Sequence, residues 1–136
     1  DQSIKLWDLR KCRTEEKQYH HFGYDYRMEK LSATEIAKIK KAMKANPNDD
    51  SIATFFGHSV YVTLIRCHFS PKYNTDQRYI YCGSSDGSVY VYDILSTQLV
   101  ARLELTEDKI IRDCTWHPTN QTIVTADFGG GKEGSW

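Results

Sequence analysis

Asp1-Gln-Ser-Ile-Lys-Leu-Trp-Asp-Leu-Arg10 and Asp86-Gly-Ser-Val-Tyr-Val-Tyr-Asp93 are two versions of one phrase. In each, an Asp opens a tight turn, an aromatic residue stands six positions later, and a second Asp follows it directly. Between turn and aromatic, Ile4-Lys5-Leu6-Trp7 and Val89-Tyr90-Val91-Tyr92 read as short β-strands. Asp86-Gly87 at the head of the second phrase is hairpin-turn chemistry. Self-similarity at this grain marks a repeat architecture, in which small sheets bury their faces against neighbouring copies.

Working outward from the second phrase gives a four-stranded unit over residues 57–105. Gly57-His58 opens it. Tyr61 to Phe69 is expected as the first strand, ending in Ser70-Pro71. Tyr79 to Gly83 is the second strand, Ser84-Ser85-Asp86-Gly87 the turn, Val89 to Tyr92 the third strand and Leu99 to Leu103 the fourth. A further copy then starts. Ile111 to Pro118 aligns with Leu64 to Pro71, which sets Cys114 on Cys67, and Gln121 to Ala126 aligns with the strand around Ile80 to Gly83. Beyond that point Gly129 stands opposite Asp86, and Lys132-Glu133-Gly134-Ser135 stands opposite Val89 to Tyr92. Residues 106–136 are therefore expected to be a partial, degenerate unit, and residues 1–10 the end of an earlier one.

Residues 11–56 have a different character: charged, rich in Tyr and His, and without strand alternation. Ser32-Ala-Thr-Glu35 has the form of a capping box. Ile36, Ile39 and Met43 follow at helical spacing, with Lys38, Lys40, Lys41 and Lys44 around the turn, and Asn46-Pro47 interrupts the run. The spacing predicts a helix over about 33–45, inside an insertion between units, because ordinary connections are short.

With 18 basic and 18 acidic residues the chain is formally neutral, which argues against a dominant nucleic-acid surface. No run of 18 apolar residues marks a transmembrane helix. Cys12, Cys67, Cys82 and Cys114 are widely spaced, with no C-x-x-C, and read as free thiols of a reducing compartment. Cys12 with His20 and His21 lacks a second nearby cysteine for zinc, so no metal is expected. Asp127-Phe128-Gly129 spells a kinase metal-binding triplet, but no companion kinase motif accompanies it. Gly129-Gly130-Gly131-Lys132 continues with Glu133 and so departs from a phosphate loop. The lysines at 38, 40, 41 and 44 read as a solvated helix face. No catalytic residues, cofactor or small-molecule substrate are expected.

The repeated phrase resembles the WD-repeat (WD40), the four-stranded blade of a β-propeller. That resemblance implies an all-β fold: a partial propeller with a helical insertion. A blade takes roughly 40–45 residues, so the chain holds two to three of them and reads as the C-terminal part of a longer propeller. Such an open ring leaves sheet faces and edges uncovered. In this family a buried hydrogen-bond relay ties each blade together, and His58, Cys82, Asp86 and Tyr92 occupy its slots here.

Trp7-Asp8-Leu9-Arg10 matches the W-D-x-R ending of the DWD box, found in substrate receptors of cullin-four RING ubiquitin ligases. Gly23-Tyr-Asp-Tyr-Arg27, Gly57-His58, Thr63-Leu-Ile-Arg-Cys67, Phe69-Ser-Pro71 and Val91-Tyr-Asp-Ile94 are similar to the C-terminal blades of WD-repeat cullin-four-associated factors. The resemblance implies that Asp8 and Arg10 dock onto the linker propeller protein of the ligase. It also implies a cullin-four complex and a protein substrate as partners, and a place in nucleus and cytoplasm. The second aromatic-Asp ending, Tyr92-Asp93-Ile94-Leu95, lacks the Arg. The alternative is a WD-repeat scaffold in another nuclear or cytosolic protein or RNA-processing assembly.

Overall fold

A computed structural model describes residues 2–11, 25, 27, 31–44, 49–105 and 109–129. The Cys12, His20 and His21 group, the side chain of Met43 and the stretch from Lys132 to Trp136 lie outside the described residues.

Among the described residues three antiparallel sheets carry the fold. β1 (Ser3–Leu6) pairs with β2 (Ala53–Phe56), and Ser3 faces Phe56 in register. Between them in sequence lies α1 (Ala33–Lys44). The middle sheet runs β3 (Cys67–Phe69), β4 (Tyr79–Gly83), β5 (Ser88–Asp93) and β6 (Leu99–Glu104), in chain order. A short helix, α2 (Lys72–Thr75), joins β3 to β4. β7 (Ile110–Trp116) and β8 (Ile123–Phe128) form the last pair. The middle sheet is the complete blade expected from the repeat, and its Asp86-Gly87 turn is closed by Gly87 with φ 78°.

Period-2 alternation explains why this sheet sits at the centre. Ile80, Cys82, Tyr90 and Tyr92 point to one face, where they pack with Phe55 and with Ile4 and Leu6 of the first sheet. Tyr81, Val89 and Val91 point to the other face, against Ile111 and Cys114 of β7. β5 is buried along its whole length, so its alternation serves two cores rather than a core and a solvent face. Each large side chain buried there contributes about 1.5–3 kcal/mol relative to its exposed state. The outer strands keep apolar side chains in solvent: Val100 and Leu103 on β6, Val124 and Phe128 on β8.

Three expectations need correction. Residues 53–56, read as the end of the 11–56 insertion, form β2 and hydrogen-bond to β1, and Ile52 N–H donates to Leu6 O at 2.8 Å. The insertion therefore ends before Ala53 and interrupts a sheet instead of separating two. Phe55 decides this, because its ring is fully buried against Tyr92 at a centroid distance of 5.7 Å. The first strand of the blade is also shorter than Tyr61–Phe69. Val62 takes φ 66°, in the left-handed region, and Thr63 N–H donates to Tyr61 O in a tight turn, so extended pairing begins only at Cys67. Finally, α2 was not expected. Pro71 sets its entry, Thr75 Oγ donates back to Pro71 O at 2.8 Å, and Asp76 ends it with φ 51°.

The capping box at the head of α1 is formed. Ser32 N–H donates to Glu35 Oε2 at 2.8 Å, and Glu35 N–H donates to Ser32 Oγ at 3.4 Å. Hydrogen bonds from Ser32 hold the Glu35 carboxyl below its ordinary range. Ser32→Ala is expected to destabilise α1 by about 1 kcal/mol, the usual loss for an N-cap side chain. Faster amide exchange at Ile36 and Ala37, with unchanged exchange in β4 and β5, is the expected reading.

Candidate protein-docking site and blade relay

Past the end of β1 the chain turns out to solvent through Trp7 and enters a single 3-10 turn at Leu9–Lys11. Asp8 stays largely buried at the base of this turn and organises it. Its Oδ1 accepts the Arg10 N–H at 3.0 Å and the Arg10 Nε–H at 2.9 Å, and its Oδ2 accepts from Arg10 Nη2 at 3.0 Å. Lys11 N–H closes the turn on Asp8 O at 2.9 Å. The result is a two-pronged clamp on a guanidinium whose side chain is 89% exposed. The Arg10 side-chain hydrogen bonds hold the Asp8 carboxyl below its ordinary range, and Asp8 raises the guanidinium. Arg10 is charged at every physiological pH and already fixed in direction, with no charge to bury before a partner arrives.

The relay positions lie inside the blade, and their bonds run in two groups. His58 is buried, its backbone N–H donates to the Tyr92 hydroxyl at 3.0 Å, and its Nδ1 lies 3.0 Å from the same oxygen. The phenol accepts the first proton and shares the second with the ring in a direction set by the imidazole tautomer. Burial pushes the Tyr92 hydroxyl far above its ordinary range, so it stays protonated. Asp86 forms the other group. It accepts from the Tyr90 hydroxyl at 2.7 Å, from Arg102 Nη2 at 3.0 Å and from Ser88 N–H at 3.2 Å. Burial raises the Asp86 carboxyl, but bonds from Tyr90 and Ser84 and the charge of Arg102 outweigh it and leave the group below its ordinary range. Burial, with Asp86 beside it, lifts Tyr90 to about 12. The two groups meet where Tyr90 and Tyr92 stack at 6.3 Å. Cys82 is buried in the same cluster, and burial drives its thiol far up, so it acts as an apolar filler.

Several residues that complete these networks were not singled out from the sequence. Tyr90 and Arg102 hold Asp86. Gln2 is buried and clasps the Val60 backbone, donating to its O at 2.6 Å and accepting its N–H at 2.5 Å. Arg78 binds Asp93. Only Gln2 had a signal, since it follows the turn residue of the first phrase. Partners reached across strands leave no trace in linear spacing.

Among the described residues no group of three or more His, Cys, Asp or Glu is placed to hold a metal ion. No described helix is long and apolar enough to cross a membrane. Asp127 of the kinase-like triplet lies on β8 and pairs with Lys109 at 2.8 Å.

Residues 49–93 match the family described as "WD domain, G-beta repeat". The chain is 42% identical over 133 residues to the LEC14B protein of Lithospermum erythrorhizon, covering 96% of this chain and 27% of that protein. It is 42% identical over 133 residues to a LEC14B homolog of Prunus armeniaca, covering 96% and 26%. It is 37% identical over 138 residues to the DDB1- and CUL4-associated factor 11 homolog of Caenorhabditis elegans, covering 96% and 22%. The chain thus spans about a quarter of the length of the relatives it matches.

Proposed function

We propose, from the match of residues 49–93 to the WD domain, G-beta repeat family, a substrate-receptor role in a cullin-four RING E3 ubiquitin ligase. In this reading the blades are a protein-binding surface, and Asp8 and Arg10 dock onto the linker protein of the ligase. A protein substrate is bound elsewhere on the propeller, and the receptor works in nucleus and cytoplasm. The observation that carries the reading is the clamped, outward-facing guanidinium of Arg10 on the W-D-x-R ending. Relatives named DDB1- and CUL4-associated factor 11 homologs support it. The chemistry is recognition alone. A fixed fork of donors suits carboxylates or carbonyls on a partner, and Asp8 has already met the entropic cost of holding it.

Arg10→Ala is expected to weaken binding to the linker by about tenfold or more, the effect of removing an arginine anchor at an interface. Arg10→Lys, which keeps the charge and loses the fork, should recover only part of that loss. Co-purification of wild-type and variant protein with the linker is the measurement. Equal recovery of folded Arg10→Ala would sink the assignment. A scaffold in another assembly is the second reading; the relatives at 42% identity are named LEC14B, a name that carries no ligase. Wild-type protein that ignores the linker altogether would favour it.

A further inference from the structure

The second aromatic-Asp ending, Tyr92-Asp93-Ile94-Leu95, places Leu95 where the first ending has Arg10. The structure nevertheless shows Asp93 holding a guanidinium. Arg78 immediately precedes β4, and the register that sets Tyr79 opposite Asp93 brings it alongside. Arg78 Nε–H donates to Asp93 Oδ2 at 2.8 Å, and its Nη2 lies 2.7 Å from the same oxygen. The other oxygen, Oδ1, caps the turn by accepting Leu95 N–H at 2.8 Å and Ser96 N–H at 3.2 Å. Asp8 likewise caps its turn with Oδ1 and holds a guanidinium, there with both oxygens. Asp93 is buried, yet the Arg78 side chain is 56% exposed, with its guanidinium 5.8 Å from the centre of the Tyr79 ring. Hydrogen bonds from Arg78 hold the Asp93 carboxyl below its ordinary range.

The two clamps follow strands whose starts are tied together. Gln2, which leads into β1, grips the backbone of Val60. Its neighbour Ser59 bonds to Ser84 Oγ at 3.0 Å and accepts Ser85 N–H at 2.8 Å, in the turn that leads into β5. β1 and β5 therefore start at the same end of the molecule. From β1, Ile4 and Leu6 pack against the cluster that holds Tyr90 and Tyr92 of β5. Asp8 lies just past the end of β1, and Asp93 is the last residue of β5. Beside them Leu9 and Leu95 are 85% and 83% exposed.

We infer that Arg78 supplies from another strand the guanidinium missing from the second ending, so that Arg10 and Arg78 form a contact on two adjacent blades for a carboxylate- or carbonyl-bearing surface of the linker protein. Exposed Leu9 and Leu95, each beside a braced aspartate–arginine pair in the chain, add the apolar contacts that accompany Arg at protein interfaces. The inference rests on the linker docking proposed above.

The test is binding of purified protein to immobilised linker, with thermal melts to confirm folding. Arg78→Ala is expected to weaken binding about tenfold, as an interface arginine does. Adding Leu95→Arg rebuilds the W-D-x-R spelling and should restore affinity to within about threefold of wild type. Leu95→Arg also re-pairs Asp93, so binding is compared between variants with matching melts, where a purely structural role for Arg78 predicts no loss of binding. If Arg78→Ala fails to fold, Arg78→Lys replaces it, with a smaller loss and the same rescue expected. Binding of Arg78→Ala within about twofold of wild type, while Arg10→Ala loses it, overturns this inference alone. A folded double variant as weak as the single one also overturns it. No binding by the wild type overturns the docking proposal and this inference with it.

Discussion

Gly83→Ala is expected to be the most damaging single-atom change in the described structure, destabilising it by roughly 3–5 kcal/mol, at the upper end of overpacking effects. A β-carbon at Gly83 would lie 2.0 Å from the backbone O of Ile111 and 2.9 Å from its Cγ2. The obstacle is main chain, and Ile111 N–H is bonded to Ser84 O at 3.1 Å, so neither side can swing away. The residue is glycine because two sheets approach backbone to backbone at this point. Making room would part β4 from β7 and open the cluster of Tyr81, Val89, Val91, Ile111 and Cys114. Denaturant titration against Gly129→Ala is the check. A β-carbon at Gly129 meets nothing within 4 Å, so that variant should stay within about 0.5 kcal/mol of wild type. A loss below about 1 kcal/mol for Gly83→Ala would show that the sheets do not approach this closely.

Tyr92→Ala should cost about as much, roughly 3–5 kcal/mol, the range for deleting a buried aromatic ring. Tyr92 is 0% exposed, packs on Phe55 at 5.7 Å and Tyr90 at 6.3 Å, and joins the first sheet to the second. Tyr92→Phe separates the hydroxyl from the ring. It keeps the packing but removes the hydroxyl that accepts from the buried His58 N–H, an expected loss of about 1–3 kcal/mol. A Phe variant as stable as wild type would mean that the His58 contact adds no net stability. A Phe variant as weak as the Ala variant would mean that the hydroxyl carries the site.

The strands that alternate were legible from the sequence. Tyr79 to Gly83 and the core of β5 came directly from period 2, and the hairpin came from Asp86-Gly87. The helix was readable because its start signal is local: Ser32 and Glu35 bond each other across three residues. The clamp of Asp8 on Arg10 is also local, two positions apart, so the motif and its geometry coincide. The segment 61–66 misled because its apolar residues alternate like a strand, whereas Val62 takes a left-handed φ that composition does not encode. β2 was missed because its reason for being a strand is Phe55, whose partner Tyr92 lies 37 residues away in the chain.

The sequence by itself determined the repeat, the alternation of the blade strands, the turn glycine and the Asp-x-Arg clamp, because each depends on contacts between near neighbours in the chain. Tertiary structure alone decided which strand pairs with β1, why Gly83 can carry no side chain, and how Asp86 and Asp93 are neutralised. Those outcomes depend on groups brought together from distant positions: Arg102 beside Asp86, Arg78 beside Asp93, and the Ile111 carbonyl against Gly83. A carboxylate held within a blade needs a cation or donors, but any strand that passes close enough can supply them. Linear spacing therefore specifies the demand, and only the packed sheets specify which residue meets it.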